Sequence, residues 1–164
     1  MTTIRELIIL EMLARAAVIV STGSPQAYQT DIGAGVYRAT AKLPPSALPC
    51  CVIWPKPETV AQVHGMNRCD MKVQVEGHVM FGSTNPSVVG EMILGDLIKC
   101  FTSPLWDRRI LVTASPLVYA QPYADTIQYE SGGYETPADG DLSVAAVVTF
   151  NVRYWTKIGD PCSR

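Results

Sequence analysis

The sequence predicts an α+β fold: a mainly antiparallel β-sheet, two principal helices packed on it, and a long C-terminal β-hairpin. Three observations carry this expectation. Residues 3–20, TIRELIILEMLARAAVIV, are strongly apolar with helical spacing and contain no breaker. Residues 71–81, MKVQVEGHVMF, alternate with a period of two. Residues 142–156 return from a Gly- and Pro-rich loop as a run of β-branched and aromatic residues. Strands that follow one another without alternating helices point to an antiparallel sheet with helices on it.

The chain of 164 residues is expected to form a single domain, 1–164, large enough to bury a core. With 48% hydrophobic and 17% charged residues it is not a disordered chain, and the sparse charge suggests that some surface is covered by another molecule. A formal net charge of −2 supplies no global attraction to nucleic acid or to an anionic membrane. Locally, Arg108-Arg109 and Arg153 with Lys157 are close pairs, but the first lacks interleaved aromatics and reads as a solvated turn. Neither a membrane nor a specific nucleic acid is expected as a partner. Residues 7–20 carry Glu11 and Arg15 and fall short of the roughly 20 residues of a bilayer span, and no secretory leader is expected. Asn85-Pro86-Ser87 is no glycosylation site because proline occupies its middle. The 5 cysteines then read as reduced thiols in a cytoplasm.

In the first helix, Leu7, Leu10, Leu13, Ala14, Ala17 and Val18 are expected to form one wide apolar arc. Glu11 and Arg15, four apart in the favourable order, mark a narrow polar strip flanked by Ile4 and Ile8, with Ile9 and Val20 on another side. Such a helix is either a central core element or one shared with a neighbouring subunit. Residues 21–49 are broken by glycines and prolines into a long irregular excursion, with a short strand near 36–40 and Gly33-Ala34-Gly35 read as loop flexibility. CCVIW at 50–54, between Pro49 and Pro55, reads as a short edge strand. In 71–81, Met71, Val73, Val75, Val79 and Phe81 face the core, opposite Lys72, Gln74, Glu76 and His78. Asn85 caps the second helix, Pro86 opens it and Lys99 sits in its last turn, leaving Val89, Met92, Ile93, Leu97 and Phe101 for packing. Gly90 and Gly95 each cost about 1 kcal/mol in a helix interior, which close approach of another backbone would explain. Short strands are expected at 110–112 and 117–119 around Pro116. The terminal hairpin, about 124–157, has Ile127 and Tyr129 on its first arm. Its second arm would be roughly 50 Å long at 3.3 Å per residue, so it must bend, bulge or project. That arm is apolar on both faces at first; later Phe150, Val152 and Tyr154 oppose Asn151 and Arg153.

No catalytic constellation appears: no nucleophile elbow, phosphate loop or H-E-x-x-H helix. Cys50, Cys51, His64 and Cys69 are the best metal candidates, yet adjacent strand cysteines point to opposite faces and the spacing is not that of a structural zinc site. A nucleophile built from Cys69 or Cys100 with His64 or His78 shows no visible activation. The expectation is therefore no enzyme, no metal and no cofactor. Tyr123, Tyr129, Tyr134, Tyr154 and Trp155 crowd the last third, where they serve equally as interface residues or as strand formers.

Taken together, several features resemble the tail terminator (tail completion) proteins of tailed bacteriophages. They are the amphipathic helix from Ile4-Arg5, the Leu48-Pro49-led strand into VIW, MKVQVEGHV, the helix opened by Asn85-Pro86, and the closing Tyr154-x-Thr156-x-x-Gly159-Asp160-Pro161. The resemblance covers most of the chain as a pattern and is loose over 21–49 and 101–123. It implies a virion structural protein, assembled in the host cytoplasm, that forms a ring (six-membered in that family). Such a ring caps the tail tube, ends its polymerisation and offers a head-side joining surface. The implied partners are copies of itself, the tail tube protein, the head-side connector and, in a contractile tail, the sheath protein. A closed ring requires two different sticky surfaces on each subunit. The first helix, the 50–54 strand and the terminal hairpin are the candidates, and a hairpin can add to a neighbour's sheet edge. Arg153, Tyr154, Thr156 and Asp160, together with Glu11 and Arg15, are the expected subunit or tube contacts. The alternatives are another neck component, such as a head-closure or connector protein, a small thiol- or metal-dependent enzyme, and a monomeric ligand-binding domain.

Overall fold

A computed structural model describes residues 2–24, 27–40, 42–102 and 123–163. The strands expected at 110–112 and 117–119, and the Arg108-Arg109 pair, lie outside the described residues. The elements are α1 (Ile4–Ala16), β1 (Val36–Arg38), β2 (Cys50–Val63), β3 (Met66–Met80), α2 (Pro86–Thr102), β4 (Thr126–Glu135) and β5 (Ser143–Lys157). They form one mixed sheet in the order β1-β2-β3-β5-β4, parallel only between β1 and β2. The α+β expectation holds, and both helices lie on one face of the sheet.

β3 and β5 are the spine, in unbroken register from Met66 opposite Lys157 to Met80 opposite Ser143. Period-two alternation sends Met71, Val73 and Val75 of β3 and Val144, Ala146, Val148, Phe150 and Val152 of β5 into the core, all at most 1% exposed. Val79 and Phe81 pack at the margin of the same core. β2 joins β3 through His64 and Gly65, both at positive φ (49° and 79°), a two-residue turn that matches the twist of the strands. β2 is thus much longer than the short edge strand expected. β1 flanks it only at Cys51, Val52 and Ile53, and a bulge follows between Pro55 and Glu58. Pro55 and Pro57 are tolerated there because, among the described residues, no strand needs an N–H from that stretch of β2's outer edge.

α2 follows expectation. Asn85 Oδ1 accepts from the Ser87 N–H at 2.9 Å, Lys99 lies in the last turn, and Val89, Ile93, Leu97 and Phe101 are buried, with Met92 half-buried. The helix lies over β3, β5 and β4. Gly77 of β3 makes this approach possible, since a Cβ there would fall 2.4 Å from Ile93 Cγ2.

α1 departs from expectation in length and in orientation. It starts at a Thr3 cap, whose Oγ1 accepts from the Glu6 N–H at 3.2 Å, and ends at Ala16 rather than near residue 20. Its buried side is Ile4, Ile8, Ile9, Met12, Arg15 and Ala16. The arc expected to be buried turns outward: Leu10 is 48% and Val18 37% exposed, Ala14 and Ala17 are exposed, and Leu7 and Leu13 are half-buried. Arg15 can take the inner place because its stem packs among apolar residues while Nε reaches Glu11 Oε1 at 3.2 Å.

The excursion 21–49 is anchored by a residue the sequence reading overlooked. Asp96 of α2, 2% exposed, accepts the backbone N–H of Gln29 (2.9 Å) and of Thr30 (2.7 Å) and the Thr30 hydroxyl (2.7 Å). Gly33, read as loop flexibility, is instead a close-approach residue: its N–H donates to Ile19 O at 2.9 Å, and a Cβ would meet Ala16 O at 2.5 Å.

The two helical glycines separate cleanly. A Cβ at Gly90 would lie 2.5 Å from the Tyr134 ring of β4, so a side chain rather than another backbone makes the close approach; at Gly95 none of the described residues stands within 4 Å. Gly95→Ala is expected to stabilise by about 0.5–1 kcal/mol through helix propensity, and Gly90→Ala to destabilise by about 1–3 kcal/mol through overpacking. Chemical denaturation of the two variants checks both signs.

Candidate functional site

The closing residues of β5 meet the start of α1 at one end of the sheet. Tyr154 points to the helix-covered face, is 2% exposed, and donates its hydroxyl to Glu58 of β2 just past the bulge. Arg5 of α1 reaches the same carboxylate at 3.6 Å and donates to Lys56 O at 2.9 Å. The Ile4 N–H, free at the start of a helix, donates to Pro161 O at 3.1 Å. Asp160 shapes the tail that presents this carbonyl: its carboxylate accepts the Cys162 N–H (2.9 Å) and the Ser163 hydroxyl (2.7 Å). Those bonds hold its carboxyl below the usual carboxylate range. Gly159 takes the positive φ of 79° that the turn needs.

The expected contact residues fall into three places. Tyr154, Asp160 and the buried Thr156 (5% exposed) belong to this junction between the two chain ends. Arg153 points to the opposite, helix-free face, where Nε donates to Asp70 Oδ1 at 2.8 Å and its carbonyl accepts the Asp125 N–H at 2.7 Å. Glu11 and Arg15 pair on α1, and the Arg15 side chain, 1% exposed, packs within the subunit near Tyr123, Ala124 and Ile127. The structure does not bring the six together.

Features that the sequence reading did not select lie around them. At the junction end, Val60 on the projecting β2–β3 hairpin is 55% exposed and Ile158 after β5 is 51% exposed. At the other end of the same strands, Met80 is 51% and Leu142 68% exposed. Beside that second end, on the helix-free face, runs an open groove of about 490 Å³ lined by residues that include Leu43, Leu48, Trp54, Glu76, His78 and Leu142. His78 Nε2 lies 3.4 Å from Glu76 Oε2. His64, once a metal or base candidate, forms the exposed β2–β3 turn instead.

The thiols have the character of core residues. Cys50, Cys51, Cys69 and Cys100 are at most 4% exposed, and burial raises the pKa of each, that of Cys100 to about 12. Among the described residues no group of three His, Cys, Asp or Glu side chains is placed to hold a metal ion, and no helix is long and apolar enough to cross a membrane.

Comparison with solved structures relates this fold to a chain from the virion of a native gene transfer agent particle. The TM-score is 0.50 at 11% identity, and the match covers 88% of this chain and 95% of the other. No protein-family model and no curated protein matches the sequence. The similarity is one of fold.

Burial and the Glu58 carboxylate hold the Tyr154 phenol far above its ordinary value of 10.0, and burial holds Cys51 and Cys100 above 9.0. Groups with raised folded pKa values contribute stability that is complete below their unfolded values and is lost as pH rises toward the folded ones. Stability is therefore expected to be level on this account near neutrality and to fall steadily above about pH 9. Tyr154→Phe should lower stability at pH 7 by about 1–2 kcal/mol and flatten the part of that fall above about pH 10. Denaturant midpoints measured from pH 7 to 11 check the sign.

Proposed function

We propose that the protein is a virion structural component that forms a ring at the end of a phage-like tail tube. The ring stops tube polymerisation and presents its opposite face to the head-side connector. The fold it shares with a virion chain supports the coarser part of this reading. The observation that carries the finer part is the placement of exposed apolar side chains at both ends of the long strands. Val60 and Ile158 lie at one end, Met80 and Leu142 at the other. A ring whose subunits stand with β3 and β5 along the tube axis would direct one such end at the tube and the other at the neck. The outward apolar face of α1, with Leu10 and Val18, offers further surface for contacts within the ring. Six subunits match the ring size implied by the sequence resemblance. The junction of Tyr154, Glu58, Arg5 and Pro161 acts through shape, holding the end of the sheet rigid where it meets a partner.

The test is tail assembly in cells that make the phage proteins without this chain. Tubes of irregular, excessive length, restored to uniform length by the wild-type protein but not by Val60→Asp/Ile158→Asp, are expected in electron micrographs. Tubes of normal length in its absence would refute the reading.

A further inference from the structure

We propose that neighbouring subunits join edge to edge, the β4 edge of one copy docking on the β1–β2 edge of the next, with opposite charge selecting the pairing. The proposal rests on the ring reading above and names the surfaces that make the ring.

Two observations support an unsatisfied edge at β4. It is terminal in the sheet, and most of its residues are exposed, including Tyr129 at 44%. It also lacks the usual protection against pairing: ten residues contain no proline and no lysine, and only a bulge between Tyr129 and Ser131 interrupts them. Among the described residues no strand pairs with its outer side.

A second copy is the occupant because the chain carries the complement at the other edge of the same sheet. Residues 123–142, which hold β4 and its loop, include Asp125, Glu130, Glu135, Asp139 and Asp141 and no Lys, Arg or His. Residues 32–57, which hold β1 and the first part of β2, include Arg38, Lys42 and Lys56 and no Asp or Glu. Some of this charge is engaged within the subunit: Glu130 pairs with Lys72 and Arg38 with Glu6, each at 2.6 Å. Glu135, Asp139, Lys42 and Lys56 form no ion pair among the described residues and so set the sign of each edge.

Strand direction agrees. β4 runs with β3, whereas β1 and β2 run against it. Rotation about an axis along the strands preserves these directions, so β4 of one copy meets β1 and the free stretch of β2 of the next in antiparallel sense. The contact is heterologous, the type that closes into rings. The short β1 and the prolines beside it guard this edge against indiscriminate pairing, which leaves charge to select the partner.

The test is light scattering of the purified full-length protein across a concentration series. The wild type is expected to associate, and to do so less at 0.5 M than at 0.05 M salt. Glu135→Lys/Asp139→Lys and Lys42→Glu/Lys56→Glu should each weaken association by about tenfold or more, while all four changes in one chain restore it. Mixing Glu135→Lys/Asp139→Lys with Lys42→Glu/Lys56→Glu should restore association, because each edge then meets its opposite on the other protein; no recovery on mixing would overturn the proposal. Unchanged thermal unfolding confirms that each variant is folded, and Glu91→Lys, at an exposed position of α2 away from both sheet edges, should leave association intact. A wild type that stays monomeric at every concentration, or association indifferent to both reversals, would also overturn it. Tube capping is unaffected by that outcome if the tube end gathers the subunits, so the two readings fail separately.

Discussion

The ladder between β3 and β5 is the constraint on which the other elements depend. It keeps one register over the full length of both strands, and the alternation of each sends its apolar set to a single face. A slip of one residue would turn Val73, Val75, Val148 and Phe150 to the helix-free side, so the register is fixed by burial as well as by hydrogen bonds. α2 can come close to this ladder because Gly77 leaves room for Ile93, and Phe101 meets Phe150 with ring centroids 5.2 Å apart. α1 then packs against α2 and the β1–β2 side. Asp96, held by α2, fixes the irregular segment that leads to β1.

The same ladder accounts for the length of β5. β5 is not a free arm, because it lies between β3 and β4 and is buried along every second residue. Its last turn folds back so that Pro161 O closes the first helical N–H, and Tyr154 joins the β2 bulge through Glu58. The start of α1 and the segment after β5 are thereby secured at one end of the sheet, close to the β2–β3 hairpin.

Much of this was legible from pattern. The alternation in 71–81, the Asn85-Pro86 start of α2 and the terminal hairpin gave β3, α2, β4 and β5 because each has a local cause: pleat, cap and turn chemistry. What was not legible depended on tertiary partners. Periodicity located α1 but chose the wrong face, since a wheel ranks Leu10 and Val18 above Arg15 and cannot see that the Arg15 stem packs among apolar residues while Nε reaches Glu11. β2 was cut short because prolines argue against a strand until it is known that the edge beside them is unpaired. Gly33 looked flexible in the absence of Ile19 and Ala16, which it touches. Among the expected contact residues, Tyr154, Thr156 and Arg15 are buried in the subunit, whereas the exposed apolar ends and the opposed charges of the sheet edges emerged only from the strand order.

On the function proposed above, the subunit stands in a ring with its long strands directed from one face to the other. Electron cryomicroscopy of the tail tip proximal to the head tests this most directly. The account predicts a single ring of this chain at the tube end, with β3 and β5 along the tube axis and Val60 and Met80 at opposite faces. Density for the chain along the length of the tube or within the head, or a ring with these strands lying across the axis, would contradict it.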